Sequence, residues 1–465
     1  MNILLTHGYF LEEDEKEKRI MRPYVPLGIL YISAWLEKHG KEHEVFDSTF
    51  SSFEKLSELI LNDPPKILAI YTNLMTKLNV LRIIRLVKNE PALQQTKIIL
   101  GGPEVRNHAI NFLQYGAHYL VVGEGEASML ELTEFILDGK GQLKDIGGII
   151  YLDAQGTLIK NPERGKLKDL DLLPDPNRKK VNLQLYFDAW KNKHGSSAAS
   201  VSTMRGCPYT CKWCSRAVYG LSYRRRSPAH VAAELQRIQE NYTVDQFWFV
   251  DDVFTISHKW LAEFNEVLQQ KNMRIRYECI TRADRMNEEV IQLLKSSGCF
   301  RVWIGAESGS QKVIDLMDRR VDVEQVRNMI RLSRKHGLEA GTFIMVGYPG
   351  ETREDIYETA RHLKIANPDH FTITVAYPIK GTGLYSEVES KFTKDLPWDQ
   401  FTDRDIDYAR TYNRKYYDYA VAMISNEVYF KKSLRKPVRN ILQWPLFKLR
   451  AIKAGYLMRK EEKRG

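Results

Sequence analysis

Three of the five cysteines in this 465-residue chain, Cys207, Cys211 and Cys214, fall within eight residues. Side chains spaced three and two apart on an irregular loop can turn inward onto one metal centre. A tetrahedral zinc ion asks for four protein ligands, and no Cys or His lies close by to complete such a set. Three thiolates suit an iron–sulfur cluster instead, with one iron left open for a small molecule. Zinc with a remote fourth ligand and a packed group of free thiols stay open as readings. Disulfides fit less well, because the basic-then-apolar order of a secretion signal does not occur at the start and a reducing cytosol is implied. Other chemistry-bearing residues recur downstream: Asp251-Asp252, Thr281-Arg282-Ala283-Asp284, Gly305-Ala306-Glu307-Ser308-Gly309 and Gly347-Tyr348-Pro349-Gly350. Carboxylates of this kind accept from an ammonium, and a guanidinium fork holds a carboxylate. Singly, each is more readily a helix cap or a turn.

Regular alternation of strand and helix positions these groups. From residue 196, strands are predicted at Ala198–Met204, Gln246–Val250, Arg276–Ile280, Phe300–Ile304, Gly341–Val346 and His370–Val375, with helical segments between them. Each polar group follows a strand, so all are delivered to one rim, where barrel active sites gather. Six such units over 196–390 make a partial (β/α)6 barrel. The first 145 residues also alternate, with strands at Asn2–Thr6, His43–Asp47, Lys66–Tyr71, Lys97–Leu100 and Tyr119–Val122. They read as an α/β doubly wound parallel sheet, whose ligand site lies beyond the carboxyl ends of its strands. Thr72-Asn73, Gly101-Gly102-Pro103-Glu104 and Gly123-Glu124-Gly125-Glu126 sit at those ends, as tight turns or as places where backbone approaches a bulky ligand. A hairpin around Ala154-Gln155-Gly156 and a polar stretch of little periodicity fill 146–195, read as a hairpin and linker. Residues 391–465 turn helical and aromatic and read as a cap and a basic tail.

The C-x3-C-x2-C spacing after a strand, preceded by Arg205-Gly206, resembles the signature of radical S-adenosylmethionine (SAM) enzymes, and the phased barrel motifs strengthen the match. The resemblance implies that Cys207, Cys211 and Cys214 hold a 4Fe–4S cluster whose free iron takes the amino and carboxylate groups of SAM. It further implies Asp251 and Asp252 near the SAM amino group, Arg282 facing its carboxylate, Glu307 and Ser308 at ribose or the methionyl end, Gly347 beside adenine and Trp213 packed on the cofactor. The preceding domain, with Pro26-Leu27-Gly28 opening its first helix, resembles the cobalamin-binding domain of cobalamin-dependent radical SAM enzymes. That implies Thr72, Asn73, Gly101, Gly102, Pro103, Gly123, Glu124, Gly125 and Glu126 around cobalamin. No Asp-x-His-x-x-Gly occurs, so the implied cobalamin is base-off with no protein histidine on cobalt. Cys279 and Cys299 read as buried structural thiols, too few for a second cluster.

A hydrophobic share of 43% and no run of eighteen apolar residues point to a soluble protein, expected in the cytoplasm. The formal charge of +10 does not mark a nucleic-acid face, because residues 431–465 hold twelve Lys and Arg against Glu461 and Glu462 and carry the whole excess. That tail, with Leu434, Val438, Ile441, Leu442, Leu446 and Leu449 among its basic residues, is either a solvated charged helix or a peripheral membrane contact, and Pro437 and Pro445 would interrupt a long helix. The stripe of Tyr408, Tyr412, Tyr416, Tyr417 and Tyr419 is expected to be a packed face.

By resemblance the expected activity is C-methylation of an unactivated carbon of a small metabolite or a lipid or secondary-metabolite precursor. One SAM methylates cobalamin, and a second is cleaved to a 5′-deoxyadenosyl radical that takes a substrate hydrogen. The substrate radical then receives the methyl group. A reductant such as flavodoxin or ferredoxin is implied as partner. Cyclisation, oxidation or rearrangement with the same cofactors is the alternative, and a non-catalytic iron–sulfur redox protein is the alternative of another class.

Overall fold

The computed structural model describes residues 1–394, 396–434 and 444–463. Strands β1 (Ile3–His7), β2 (Glu44–Phe46), β3 (Ile67–Tyr71), β4 (Lys97–Gly101) and β5 (Tyr119–Val121) pair in parallel, and β6 (Ile149–Leu152) and β7 (Leu158–Lys160) extend the sheet antiparallel, in the order β2-β1-β3-β4-β5-β6-β7. The hairpin therefore belongs to the first domain. Its central strands are apolar on both faces because both are covered: β4 reads Ile98, Ile99 and Leu100, all buried, between two separate cores. Helices α1 (Leu27–Lys38), α2 (Lys77–Asn89) and α3 (Glu126–Asp138) begin just beyond strand ends and aim their first turns at the ligand edge.

The second sheet is entirely parallel, β8 (Ala198–Val201), β9 (Gln246–Phe249), β10 (Tyr277–Thr281), β11 (Cys299–Glu307), β12 (Glu339–Val346) and β13 (His370–Val375) lying in sequential order. The open barrel agrees with the expectation strand for strand, except that β8 stops at Val201. Met204–Arg205 instead pairs antiparallel with Arg224–Arg225. This two-residue ladder closes the base of the loop 206–223, so the cysteines sit on an excursion whose ends are tied together.

The expected linker contains an ordered helix, α4 (Leu183–His194), started by Asn182, whose side chain accepts from Gln184 N at 3.2 Å. Tyr186 and Phe187 are buried in the barrel core, Trp190 is buried against Tyr24, and Tyr186 OH donates to Asp47 Oδ2 at 2.8 Å, crossing between domains. Periodicity was present at 186, 187 and 190 but masked by the surrounding Lys and Asn. After the barrel, α5 (Arg414–Leu434) packs on the helix Arg353–Ala366 beside the edge strand β13, and α6 (Trp444–Glu462) packs on α5. Tyr416 and Tyr417 are buried there, a packed face as expected, while Tyr408 is buried in a separate cluster beside Tyr348. Pro445 lies in the first turn of α6, where proline is tolerated. Pro437, Val438, Ile441 and Leu442 lie outside the described residues. The rim itself is crossed by the preceding segment, where Trp398 packs edge-on against Phe112 at 4.8 Å between centroids and donates to His108 Nδ1 at 2.9 Å.

Candidate active site between the two sheets

The cysteine loop is anchored at Cys211 by two buried arginines. Cys211 is buried, and its Sγ accepts from Arg282 Nη1 at 3.7 Å and Arg319 Nη1 at 3.8 Å. Arg282 follows β10 and is fully buried. Its remaining donors go to Asp284 Oδ1 (2.8 Å) and Arg319 O (2.8 Å), and its plane lies 3.8 Å from the Tyr209 ring centroid. Its fork is thus spent on the loop. Arg319 also donates to Gly305 O at 3.2 Å, yet its Nε is buried without a hydrogen-bond partner. Sequence reading missed Arg319, because nothing around Asp318-Arg319-Arg320 marks it; only the fold carries it to Cys211.

Cys214 is open on one side. Burial by the surrounding loop, then Asp252 and the other two thiols, pushes its pKa up to about 12, and burial likewise raises Cys207. Loading a metal on these thiols therefore releases protons. Among the described residues no three Cys, His, Asp or Glu side chains are gathered on one point as a single ion requires. The donor set fits a cluster, where each thiolate takes a different iron and the three need not meet on one point.

Asp251 and Asp252 divide their roles. Asp251 Oδ1 accepts from Thr203 N at 2.7 Å and Met204 N at 3.2 Å, while Oδ2 bonds Thr203 Oγ1 and lies 3.6 Å from Arg225. Those contacts consume it in the turn that launches the cysteine loop. Asp252 points into the crevice between the domains, where burial and the neighbouring Asp251 raise its pKa. Glu307, at the end of β11, takes φ +65°, a left-handed conformation rare for a non-glycine residue and commonly stored at functional sites. Its carboxylate lies 3.8 Å from Arg319 Nε, and burial raises its pKa against the pull of Arg319 and Arg282. Ser308 is buried, bonded to Thr359 Oγ1 at 3.2 Å and accepting from Ser310 N at 3.2 Å, so it holds the loop. Gly347 (φ +81°) donates to Glu351 and accepts from Tyr408 OH at 3.0 Å, which joins the fifth strand end to the segment crossing the rim. Trp213 packs with Tyr348 and Met317 and lies 5.9 Å from the Arg319 guanidinium.

On the first domain, a cavity of about 260 Å³ runs into the sheet between Leu5, Ile29, Ile99, Val121 and Met129 and opens among Gly28, Gly101, Gly102, Gly123 and Gly125. An apolar depth with a backbone-lined mouth suits a large group with an aromatic tail. Gly102 has φ +107°, and a Cβ there would meet Thr72 O at 2.2 Å, so only glycine can form this part of the mouth. Thr72 is fully buried and its Oγ1 has no partner. Asn73 turns back on its own loop, its Oδ1 accepting from Met75 N at 2.9 Å, and Pro103 starts the helix Pro103–Asn107. Glu124 and Glu126 line the cavity but bond across the domain boundary: Arg205 pairs with both, and Arg224 reaches Glu124 at 2.5 Å. A second cavity, about 180 Å³, shares Gly28, Arg205 and Tyr219 with the first and continues to Gly206, Asp251 and Asp252. The glycine-lined mouth therefore adjoins a crevice that reaches Gly206, the residue before Cys207.

Residues 21–133 match the family model of the B12 binding domain, and residues 201–363 match that of the Radical SAM superfamily. The chain belongs to the cobalamin-dependent radical SAM family. As a member it is an enzyme whose cofactors are a 4Fe–4S cluster, SAM and cobalamin, and the cysteine loop and the glycine-lined cavity are chemically suited to two of them. An uncharacterized methyltransferase of Pyrococcus horikoshii, PH0819, is 27% identical over 392 residues, 82% of each chain. The anaerobic magnesium-protoporphyrin IX monomethyl ester cyclase of Rubrivivax gelatinosus is 27% identical over 276 residues, 58% of this chain and 49% of the cyclase. In fold, the chain is similar to TsrM, a radical SAM methyltransferase of Kitasatospora setae solved with cobalamin and a 4Fe–4S cluster bound, at TM-score 0.69 and 17% identity, covering 87% of this chain and 80% of that one. Among the described residues no helix is long and apolar enough to cross a membrane.

Proposed function

We propose that this member of the cobalamin-dependent radical SAM family transfers a methyl group from SAM to an unactivated carbon of a small molecule. The single crevice that joins the cysteine rim to the glycine-lined cavity carries this reading, because a substrate lying there faces both sites at once. When bound, the cluster and SAM supply hydrogen abstraction and the corrinoid supplies the methyl group. The residues divide the remaining work. Cys207, Cys211 and Cys214 ligate iron, and Arg282 and Arg319 hold Cys211 from behind. Asp252, open to the crevice, and Glu307, at the end of β11, take the SAM ammonium and ribose, and Arg319, whose Nε has no hydrogen-bond partner, takes an anionic oxygen. Gly347 and Trp213 border adenine and the methionyl chain. Thr72, Asn73, Gly101, Gly102, Pro103, Gly123 and Gly125 cradle the corrinoid, whereas Glu124 and Glu126 act from its border by fixing Arg205. Electrons enter from a flavodoxin- or ferredoxin-type donor on the side where Cys214 is open.

The second reading keeps the cofactors and performs a cyclisation, a reading favoured by the similarity to the cyclase. Anaerobic reconstitution tests the core of both. Wild type under dithionite should cleave SAM to 5′-deoxyadenosine, and Cys211→Ala should not; cleavage by Cys211→Ala refutes the assignment. With methyl-deuterated SAM, label carried into product supports methyl transfer, and an unlabelled product one ring richer supports cyclisation.

A further inference from the structure

Helix α6 is apolar on two opposite faces, and the fold uses one of them. Ala451, Ala454 and Met458 are buried against α5, and Gly455 brings the helices close enough that a Cβ would stand 3.7 Å from Met423. On the opposite side Leu449, Ile452 and Tyr456 follow one another at spacings of three and four and are 63%, 55% and 60% exposed. Leu446 adds to the same face at 49%. A single exposed leucine is ordinary; a stripe along one helix is a recognition surface.

Charge is sorted around that stripe. Arg450, Lys453, Arg459 and Lys460 flank it and are exposed, and among the described residues none of the four pairs with a carboxylate. The helix has two acidic residues, and both turn inward: Glu461 is buried and accepts from Asn413 Nδ2 at 3.1 Å, and Glu462 pairs with Arg353 at 3.0 Å. Lys448, on the inner flank, pairs with Glu427 at 2.9 Å. The outward face therefore presents leucine, isoleucine and tyrosine between rows of unpaired cations. A second copy of the chain would set these rows against each other, which like charges oppose. An acidic protein would satisfy the cations but leave the aliphatic stripe without a matching surface.

We infer that the outer face of α6 docks the enzyme on an anionic lipid surface, the helix lying in the interface plane. Leu449 and Ile452 enter the acyl boundary, Tyr456 sits at headgroup level, and the four cations reach the lipid phosphates with their stems along the apolar surface. The surface is separate from the crevice, so the inference does not depend on the reaction proposed above.

Sedimentation of the full-length protein with vesicles tests it. The enzyme should pellet with vesicles of equal parts phosphatidylcholine and phosphatidylglycerol, and should stay in solution with phosphatidylcholine alone. Each basic residue near the surface contributes about 1 kcal/mol, or roughly five-fold, so K453E/K460E should weaken partitioning by at least about 25-fold. L449Q/I452Q/Y456Q should release the protein while leaving its unfolding temperature nearly unchanged, since among the described residues those side chains are more than half exposed and belong to no buried cluster. Binding that ignores phosphatidylglycerol, or survives the triple substitution, overturns the inference. So does a concentration-dependent dimer in sedimentation velocity that the triple substitution abolishes, or capture of flavodoxin through the cations without any vesicle binding.

Discussion

Arg205→Met should unfasten the two domains at a cost set by one carboxylate. Arg205 is buried, its guanidinium bonds Glu126 and Glu124, and Tyr31 and Tyr219 flank it at 5.3 and 5.4 Å. Without it Glu124 keeps Arg224, but no other cation bonds Glu126 among the described residues, so Glu126 is left charged and buried. Breaking a buried pair from one side costs about 3–5 kcal/mol, whereas an exposed pair is worth under about 1 kcal/mol. For one domain of about 150–200 residues that is a fall of roughly 6–20 °C in unfolding temperature. Differential scanning calorimetry at fixed scan rate measures it. The double variant Arg205→Met/Glu126→Gln removes the stranded charge and should recover a good part of the loss, about 1–3 kcal/mol of coupling. A single variant within 2 °C of wild type would put the bridge in the exposed class and refute the reasoning. A double variant no better than the single would show that Glu126 is not the seat of the cost.

Gly102→Ala should fold at a penalty of about 1–3 kcal/mol yet lose corrinoid on gel filtration, read from the visible spectrum, because the added Cβ collides with Thr72 O at the mouth of the cavity. Arg319→Met should shift the reduction potential of the reconstituted cluster to more negative values, and Arg319→Lys should shift it less, since a cationic donor to the Cys211 sulfur stabilises the reduced cluster; equal potentials in a redox titration followed by electron paramagnetic resonance would remove Arg319 from that role. Glu104 is buried under the segment that crosses the rim, and burial, with Asp403 beside it, pushes its carboxyl from 4.5 to about 7 against the pull of Lys77. The folded protein then holds a proton that the unfolded chain has released, so stability falls as pH rises from about 4.5 to about 7. Glu104→Gln should erase that slope, worth up to about 3 kcal/mol, and gain on wild type across the window in thermal melts at graded pH.

What the sequence disclosed and what it hid separate by distance along the chain. Each βα unit is written locally: an apolar run, a polar or glycine turn and a capped amphipathic helix are consecutive, so the strands, the edge where their loops gather and the cysteine motif could be read directly. Arg319 has no such local mark, and Arg205, though it stands beside the cysteine motif, shows nothing there of the partner it holds. Their meaning comes from Cys211, 108 positions away from Arg319, and from Glu126, 79 positions away from Arg205. Asp251 and Asp252 show the same limit within a doublet, since the turn at Thr203 claims the first and frees the second only once β8 and β9 are side by side.

A consequence follows for how the site works as a unit. Arg205 and Arg224–Arg225 are the two ends of the ladder that closes the cysteine loop, and their side chains reach Glu124 and Glu126 on one side and Asp251 on the other. The same two strands of arginine thus set the width of the crevice and the position of the loop. Loosening them should disturb corrinoid retention and SAM cleavage together, whereas Gly102→Ala should disturb the first and spare substrate-free SAM cleavage. That contrast distinguishes a crevice held by one shared brace from two sites that merely adjoin.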